Sequence, residues 1–174
     1  NTVAKYWWHD FLELEELQSD ECNTKRAFKA IENTLNRNLK KVAPYDHMVI
    51  QNAIYLYFSS TEQFDFSEML ERNVKNYTPN DMTVEKKEEL LQKLQKLPEE
   101  QHFDQQFHPS LSVIKRKMKK TYDVYSGIQI KVTSAVEDLG DVIEAYQAND
   151  GKRYLKIRID NDVTFRTFER KAES

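Results

Sequence analysis

The spacing of apolar residues changes its period near residue 108, and this change constrains the fold more than any other feature of the chain. Before it, apolar residues recur at the three- and four-residue steps of amphipathic helices. After it, apolar and polar residues alternate, as they do in half-buried strands. We therefore expect an α+β protein with a helical subdomain over residues 1–107 and a β-rich subdomain, a small antiparallel sheet, over residues 108–174.

About five helices are predicted in the first part. The first carries an aromatic face over residues 3–14, and so much aromatic area must be buried against something. The other four are expected over residues 23–42, 46–58, 65–76 and 83–97. Pro44 and Pro98 are expected to end the helices that precede them, and Asp46 is expected to cap the third helix.

The second part contains strand and turn signals. Ile128, Ile130 and Val132 alternate with polar residues, which predicts a strand. The turn Asn149-Asp-Gly151 predicts a hairpin between strands at 141–147 and 155–159. Residues 134–140 fit either one helical turn or a loop. Residues 163–170 fit either a further strand or a short helix, and the strand is favoured because their apolar and polar side chains alternate.

The distribution of charge gives the first indication of a partner. The chain has 26 Lys and Arg residues against 29 Asp and Glu residues, yet its basic residues are concentrated at 25–41, 115–120 and 152–158. A face dense in Lys and Arg on an otherwise acidic protein can hold a polyanion without making the whole molecule adhesive. The pattern therefore favours a nucleic-acid partner.

The first basic group lies on the predicted helix at 23–42. At 100° per residue, the apolar residues Phe28, Ile31, Leu35 and Leu39 fall within one arc of about 80°. The opposite side carries Lys25, Arg26, Lys29, Arg37 and Lys40. One acid, Glu32, lies at the border, whereas an ordinary solvated face mixes charges of both signs. Phosphate contact, contact with an acidic protein surface and simple solvation all fit this face.

The second basic group places five positive charges in six positions: Lys115, Arg116, Lys117, Lys119 and Lys120. Such a run repels itself unless anions are near, so it is a candidate phosphate-binding segment. A solvated helix end, whose cations favour the helix dipole, would look the same. Tyr122 and Tyr125 follow, and they fit either stacking on bases or a place in the core.

The third basic group follows strand alternation. Lys152, Tyr154, Lys156 and Arg158 share one face of the predicted hairpin, and the register of the sheet decides whether Lys131 joins them. This face can lie along a nucleic-acid backbone, or it can be the wet face of an antiparallel sheet. Any interface built from these groups would contact phosphates and bind largely without regard to sequence.

Catalytic and metal-binding patterns are missing from the sequence. The four histidines are scattered, and three glycines form no phosphate-cradling loop. The single Cys22 fits a reducing compartment. Asp138, Asp141 and Glu144 fit either the Mg²⁺ site of a nuclease or solvated loop carboxylates. No apolar run approaches the roughly 20 residues of a membrane span. We therefore expect a soluble cytoplasmic protein without a cofactor or an enzymatic activity.

Several motifs follow one another along nearly the whole chain. They are Val3-Ala-Lys-Tyr-Trp-Trp-His-Asp-Phe-Leu12, Asn23-Thr-Lys-Arg-Ala-Phe28, Ser126-Gly-Ile-Gln-Ile130, the strand at 141–146, and Asn149-Asp-Gly-Lys-Arg-Tyr-Leu-Lys-Ile157. In their order and spacing they resemble the C-terminal part of the bacterial nucleoid-associated protein family NdpA, also called YejK. Residues 83–101 are longer and more charged than this family leads us to expect, so we interpret them as an insertion and assign no function to them.

The resemblance implies a cytoplasmic bacterial protein that is found with the nucleoid, binds double-stranded DNA and has a link to topoisomerases. Members of the family are roughly twice as long, so the resemblance also implies a missing N-terminal half, on which the aromatic first helix is expected to pack. It supplies no catalytic residues. Two alternatives stay open: a homodimer, and a protein-interaction module that docks a nucleoid partner such as a topoisomerase through the basic helix or the edge of the sheet.

Overall fold

The computed structural model describes residues 19–170, and the predicted first helix at 3–14 lies outside them. Within the described residues the helices are α1 (Asp20–Asn38), α2 (Pro44–Ser60), α3 (Phe66–Leu70), α4 (Val84–Gln95), α5 (Leu97–Gln101), α6 (Leu139–Val142) and α7 (Asp162–Phe168). The strands are β1 (Phe64–Asp65), β2 (Gln106–Phe107), β3 (Lys120–Tyr125), β4 (Ile128–Val132), β5 (Ile143–Gln147) and β6 (Arg153–Ile157). Most helices precede the strands, and the α+β class is confirmed.

Helices α1 and α2 form an antiparallel pair around an aromatic core. Phe28 of α1 stacks on Tyr55 of α2 with 5.1 Å between ring centroids, and its other ring neighbour is Phe58. Phe64 continues the stack, 4.4 Å from Phe58 and 4.7 Å from Phe107. Burial of these rings supplies much of the hydrophobic stabilisation of the helical part.

The bounds of α1 differ from the prediction. The helix begins at Asp20, because Ser19 accepts a hydrogen bond from the Cys22 amide and caps it. It ends at Asn38, and Val42, the last apolar position expected on its buried face, is 67% exposed. Pro44 occupies the first turn of α2, where its missing N–H costs nothing. The proline thus begins a helix, and the expectation that it ends the previous one is wrong, because α1 has already ended at Asn38.

The expected cap of α2 is wrong. Asp46 is fully buried, and its carboxylate accepts hydrogen bonds from the loop at 77–82 instead of from its own helix. The Tyr45 amide at the start of α2 donates to the side chain of Asp81, at 2.7 Å. The first turn of α2 and the loop at 77–82 therefore lie side by side, and each supplies an acceptor to the other.

The next two predicted helices are confirmed. Asp65 caps α3 by accepting from the Glu68 amide at 2.9 Å, and the helix continues as a π-helical turn over Glu71–Lys75. Thr83 caps α4 by accepting from the Lys86 amide at 3.2 Å. Pro98 again begins a helix, since it lies in the first turn of α5.

The strands form three separate antiparallel pairs, β1–β2, β3–β4 and β5–β6, where one small sheet was expected. The hairpin at 149–151 is confirmed, and Gly151 has the positive φ of 82° that its turn requires. Sequence analysis missed β3, which pairs with β4. Residues 134–138 form a loop, which confirms that alternative for most of 134–140, and α6 begins at Leu139.

The strand favoured for residues 163–170 is wrong, and the short-helix alternative is confirmed, since α7 covers Asp162–Phe168. Asn161 caps α7 by accepting from the Thr164 amide at 2.9 Å, and Asp162 lies in the first turn of the helix. An alternation of three apolar positions is too short to decide between the two periods, so the local cap decided the outcome.

The chain between the helices and β3 packs on the helical core. Ile114 and Met118 belong to it, and the Ser110 amide donates to the Thr24 hydroxyl at 2.9 Å. Among the described residues after Met118, Leu139 is the one buried hydrophobic residue. The subdomain boundary at 107/108 stays a prediction.

Candidate nucleic-acid interface

The exposed face of α1 and the turn after it carries the first basic group. Lys25 forms an ion pair with Glu21 at 2.6 Å, and Arg26 donates to the carbonyl oxygen of His102 at 2.7 Å, so both have structural contacts. Within the described residues, no ion pair to an acidic side chain is formed by the exposed cations Lys29, Arg37 and Lys40.

The one acid at the border of this face points away from it. The carboxylate of Glu32, whose side chain is 19% exposed, accepts from the Tyr55 hydroxyl at 2.6 Å and pairs with Lys120 at 3.2 Å. Burial, and then the hydrogen bond to Glu32, raise the pKa of Tyr55 far above its ordinary value. The Lys120 ammonium also lies 5.5 Å from the centre of the Tyr55 ring. Lys120, predicted to contact DNA, is therefore committed to a half-buried ion pair.

The second basic group lies alongside α1. The His108 amide donates to Asp20, and the Ser110 amide donates to Thr24. Lys120 pairs with Glu32, which lies about three helical turns after Asp20. The chain from 108 to 120 thus follows α1. Lys120 joins the second group to α1, so we take the exposed cations of the two groups together and call them the basic surface: Lys29, Arg37, Lys40, Lys115, Arg116, Lys117 and Lys119.

The local structure of the second group removes one alternative. Leu111–Val113 is a single 3₁₀ turn, and the residues after it form turns before β3 begins. These cations therefore do not stand at the C-terminus of an α-helix, and a helix dipole does not account for them.

His47 lies where the two groups meet. Its Nε2 is 2.8 Å from the side-chain oxygen of Asn36, and the residue is 8% exposed. Burial lowers the pKa of His47 most, the charges of Lys120 and Lys40 lower it further, and Glu32 opposes them. One lysine from each basic group therefore acts on the same imidazole.

We expect His47 to make the protein less stable below about pH 6.5. Its folded-state pKa is lowered from the ordinary value of 6.5, so the unfolded chain binds a proton at a higher pH than the folded protein does. The free energy of unfolding therefore decreases as the pH is lowered. The measurement is urea denaturation of the wild type and of His47→Gln between pH 5 and 8. The difference between their free energies of unfolding should shift against the wild type as the pH falls, and a pH-independent difference would contradict this cause.

The third basic group is compensated by acids. Lys156 lies directly opposite Glu144 in the β5–β6 register, and Lys152 pairs with Asp150 at 3.1 Å. The Arg158 guanidinium is 3.8 Å from the Asp160 carboxylate. This hairpin face has little excess charge to offer a polyanion, since its cations have acidic neighbours.

Lys131 does not join that face. It lies on β4 opposite Thr121, and the β3–β4 and β5–β6 pairs share no hydrogen-bonded ladder. The two tyrosines after the second basic group are also not in the core, since Tyr122 is 41% and Tyr125 is 76% exposed. Burial still raises the pKa of Tyr122, because part of its ring lines a cleft between the hairpins.

That cleft was missed by sequence analysis. It has a volume of about 370 Å³ and lies between the β3–β4 and β5–β6 hairpins. A signal for it was present, because Tyr122 and Val124 alternate with the polar residues Thr121 and Asp123. The strand was missed because this short pattern directly follows the basic run.

The acidic residues proposed for a nuclease do not come together. Within residues 19–170, no group of three or more His, Cys, Asp or Glu side chains is arranged to hold a metal ion. Glu144 faces Lys156 across the hairpin, and Asp138 adopts a left-handed conformation before α6. No catalytic centre is assembled from the three candidate acids.

Comparison with known proteins adds no assignment. No family model matches the chain, and neither the curated proteins nor the solved structures contain a match. In the part of the chain that the structure describes, no helix has the length and apolarity needed to cross a membrane. The similarity of the motifs to the NdpA family stays a prediction from sequence.

Proposed function

We propose that this chain is a nucleoid-associated protein that binds double-stranded DNA through phosphate contacts on the basic surface, without strong sequence specificity. The observation that supports the proposal most is the meeting of two basic groups, far apart in sequence, along α1. The proposal includes no catalytic step. A cytoplasmic, nucleoid location and a link to topoisomerases are further parts of it that come from the resemblance, and homodimerisation is an open addition to it.

The spacing of the cations suits a nucleic-acid backbone. Lys29 and Arg37 are eight residues apart on α1, which corresponds to about 12 Å along the helix axis. Duplex DNA carries roughly one negative charge per 1.7 Å, so several phosphates pass within this length. Long lysine side chains can reach phosphates on either side without selecting a base.

Mutual repulsion also favours an anionic partner. Four cations occur within the five positions 115–119, and ion pairing to acids is not seen for them among residues 19–170. A polyanion relieves their repulsion and releases its own condensed counterions when it binds. The acidic balance of the whole chain then confines DNA contact to this surface.

A competing proposal is that the chain docks a protein partner such as a topoisomerase subunit. The separate β3–β4 and β5–β6 pairs favour it, because each pair leaves strand edges without a neighbour in the described chain. A docking module would bind its partner but would show no salt-sensitive affinity for naked DNA.

Binding to random-sequence duplex DNA should therefore depend steeply on salt. If about six of the seven side chains meet phosphates, the affinity should fall by about three orders of magnitude between 50 and 200 mM salt. Fluorescence anisotropy with labelled duplexes of two unrelated sequences measures this directly. Similar affinities for both sequences are expected. The proposal of direct DNA binding would be contradicted if no binding is seen at the lowest salt concentration, or if the affinity does not change with salt concentration.

A further inference from the structure

One buried side chain of α2 carries a hydrogen-bond donor that the described fold does not use. Gln51 is 5% exposed, and among residues 19–170 no acceptor lies within hydrogen-bond distance of its Nε2. A buried donor without an acceptor is costly, because it has given up its hydrogen bonds to water. The side chain therefore favours a further group with an acceptor oxygen at this position.

Gln51 lines a small chamber between α2 and the β3–β4 pair. The wall on the α2 side consists of residues at helical spacing on one face: Met48, Gln51, Asn52 and Tyr55. The facing wall includes Lys120, Tyr122, Val132 and Ser134. The chamber has a volume of about 20 Å³. One water molecule needs roughly 10–15 Å³ measured in this way, so the chamber takes a single oxygen-sized group.

The chamber adjoins a larger apolar cleft. The β3–β4 and β5–β6 hairpins enclose this cleft of about 370 Å³, which we call the hairpin cleft. Four residues line both spaces: Met48, Tyr122, Val132 and Leu139. The rest of the cleft wall is mostly apolar and includes Ile130, Ile143, Ala145 and Leu155. An apolar space beside an unused donor suits a molecule with an apolar body and one polar atom.

The size and the access of the hairpin cleft fit a small molecule. Its volume equals that of roughly a dozen water molecules at about 30 Å³ each, so it can receive about a dozen non-hydrogen atoms. Tyr122 and Leu155, which line it, are 41% and 37% exposed. A ligand can therefore enter from solvent without a change in the described fold.

The charges around the chamber favour a neutral oxygen over a carboxylate. Among the described residues, Lys120 is the one cation that lines the chamber, and it pairs with Glu32 at 3.2 Å. The Tyr55 hydroxyl also donates to Glu32, at 2.6 Å. A carboxylate here would lose its hydration and share one lysine with a second carboxylate, which is unfavourable. A carbonyl or hydroxyl oxygen avoids this cost.

We propose that the chamber and the hairpin cleft together bind a small uncharged apolar molecule that carries one carbonyl or hydroxyl oxygen. The apolar body occupies the hairpin cleft, and the oxygen accepts a hydrogen bond from Gln51 Nε2 in the chamber. Binding removes apolar side chains from water and gives Gln51 the acceptor that no described residue supplies. None of the seven described cations of the basic surface lines this site, so the proposal does not depend on DNA binding.

Three related probes test the proposal on the full 174-residue protein: benzylacetone, butylbenzene and phenylbutyrate. They share a phenyl ring and a chain of the same length, and they differ in carrying a ketone oxygen, no oxygen or a carboxylate. Titrations followed by the NMR shifts of backbone amides measure their dissociation constants. We expect the first two to bind and to shift the amides of Val132 and Leu155. Phenylbutyrate should bind roughly tenfold more weakly than benzylacetone.

Gln51→Met isolates the proposed hydrogen bond, since methionine has a similar length but no donor. The ratio of the benzylacetone affinity to the butylbenzene affinity should fall by roughly 3- to 10-fold in this variant. The ratio is compared because the different tendencies of the two probes to leave water then cancel. Gln92→Met, at an exposed position of α4, is the matched control and should leave the ratio unchanged.

Ala145→Phe tests the hairpin cleft itself, because the added ring would occupy it and should weaken the binding of all three probes. Glu144→Phe adds the same ring to the preceding residue, on the opposite face of β5, and should leave binding unchanged. Circular dichroism shows whether each variant stays folded, and Gln51→Met supplies an independent test where Ala145→Phe does not fold.

Four results would overturn the proposal. The first is the absence of amide shifts at the hairpin cleft with benzylacetone and butylbenzene in the millimolar range. The second is an affinity ratio that responds equally to Gln51→Met and Gln92→Met. The third is wild-type binding by a folded Ala145→Phe protein. The fourth is tightest binding of phenylbutyrate with its loss in Arg153→Gln, which would assign a carboxylate to the guanidinium at the cleft.

Discussion

Replacing Asp46 with alanine is expected to lower the free energy of unfolding by about 3–5 kcal/mol. One carboxylate oxygen accepts from the Tyr77 hydroxyl at 2.6 Å and the Asn80 amide at 2.8 Å. The other accepts from the Asp81 amide at 2.8 Å and the Met82 amide at 2.6 Å. Alanine would leave these four donors without their acceptor in a site where Asp46 is fully buried.

The magnitude follows from the number of donors left unsatisfied. Each buried donor that loses its partner costs roughly 1–3 kcal/mol, and partial access of water to the loop keeps the total below the simple sum. Urea denaturation of both proteins measures the change. The free energy of unfolding of Asp46→Asn should lie between those of the wild type and Asp46→Ala. Its side-chain amide keeps one acceptor oxygen but places a donor next to the amides that the second carboxylate oxygen had accepted from.

Asp81→Ala is the matched control for this prediction. It removes an exposed carboxylate that accepts one hydrogen bond, from the Tyr45 amide at the start of α2. Loss of such a helix cap lowers the free energy of unfolding by about 0.5–2 kcal/mol. Equal losses for Asp46→Ala and Asp81→Ala would mean that the loop at 77–82 is held by something other than the buried carboxylate.

Neutralising three cations of the basic surface should weaken DNA binding by roughly two to three orders of magnitude at moderate salt, with little change in stability. The variant is Lys29→Gln, Arg37→Gln and Lys40→Gln. These side chains are exposed and lie off the buried face of α1, so the free energy of unfolding should stay within about 0.5 kcal/mol. Arg26 is excluded because it donates to the His102 carbonyl.

The salt dependence separates lost phosphate contacts from a general change in charge. Each lost contact lowers the slope of log affinity against log salt by about 0.9, so the triple variant should lose nearly three from that slope. The matched control is Lys152→Gln, Lys156→Gln and Arg158→Gln, which removes the same net charge from the compensated hairpin face. Equal losses in both variants would show that overall charge, and not the basic surface, controls binding.

Local signals were sufficient for several elements. Thr83 and Asp65 cap the helices that the apolar period predicted, and Asn149-Asp-Gly151 closes the predicted hairpin. Each of these features is decided within a few residues of chain. Residues 163–170 were misjudged for the same reason, since the capping side chain of Asn161 just before them outweighed an alternation that is favourable only when another strand is present.

The candidate site depended more on long-range contacts. The sequence identified thirteen basic residues as candidate DNA contacts without separating them. The contacts in the structure separate those paired with acids from those that stay exposed. Lys120 is held by Glu32, Lys156 faces Glu144, and Lys29 keeps an exposed charge. Charge pairing between residues 88 positions apart, such as Lys120 and Glu32, leaves no local pattern in the chain.

Periodicity, capping and turn chemistry are local properties of the backbone, so the α+β class, most of the helices, the hairpin turn and the positive face of α1 could be predicted from the sequence. Three further features follow from long-range contacts: Asp46 anchors a distant loop, Lys120 joins the second basic group to α1, and the hairpins enclose an apolar cleft. These outcomes depend on which segments become neighbours when the core packs around Phe28, and packing is a property of the whole chain.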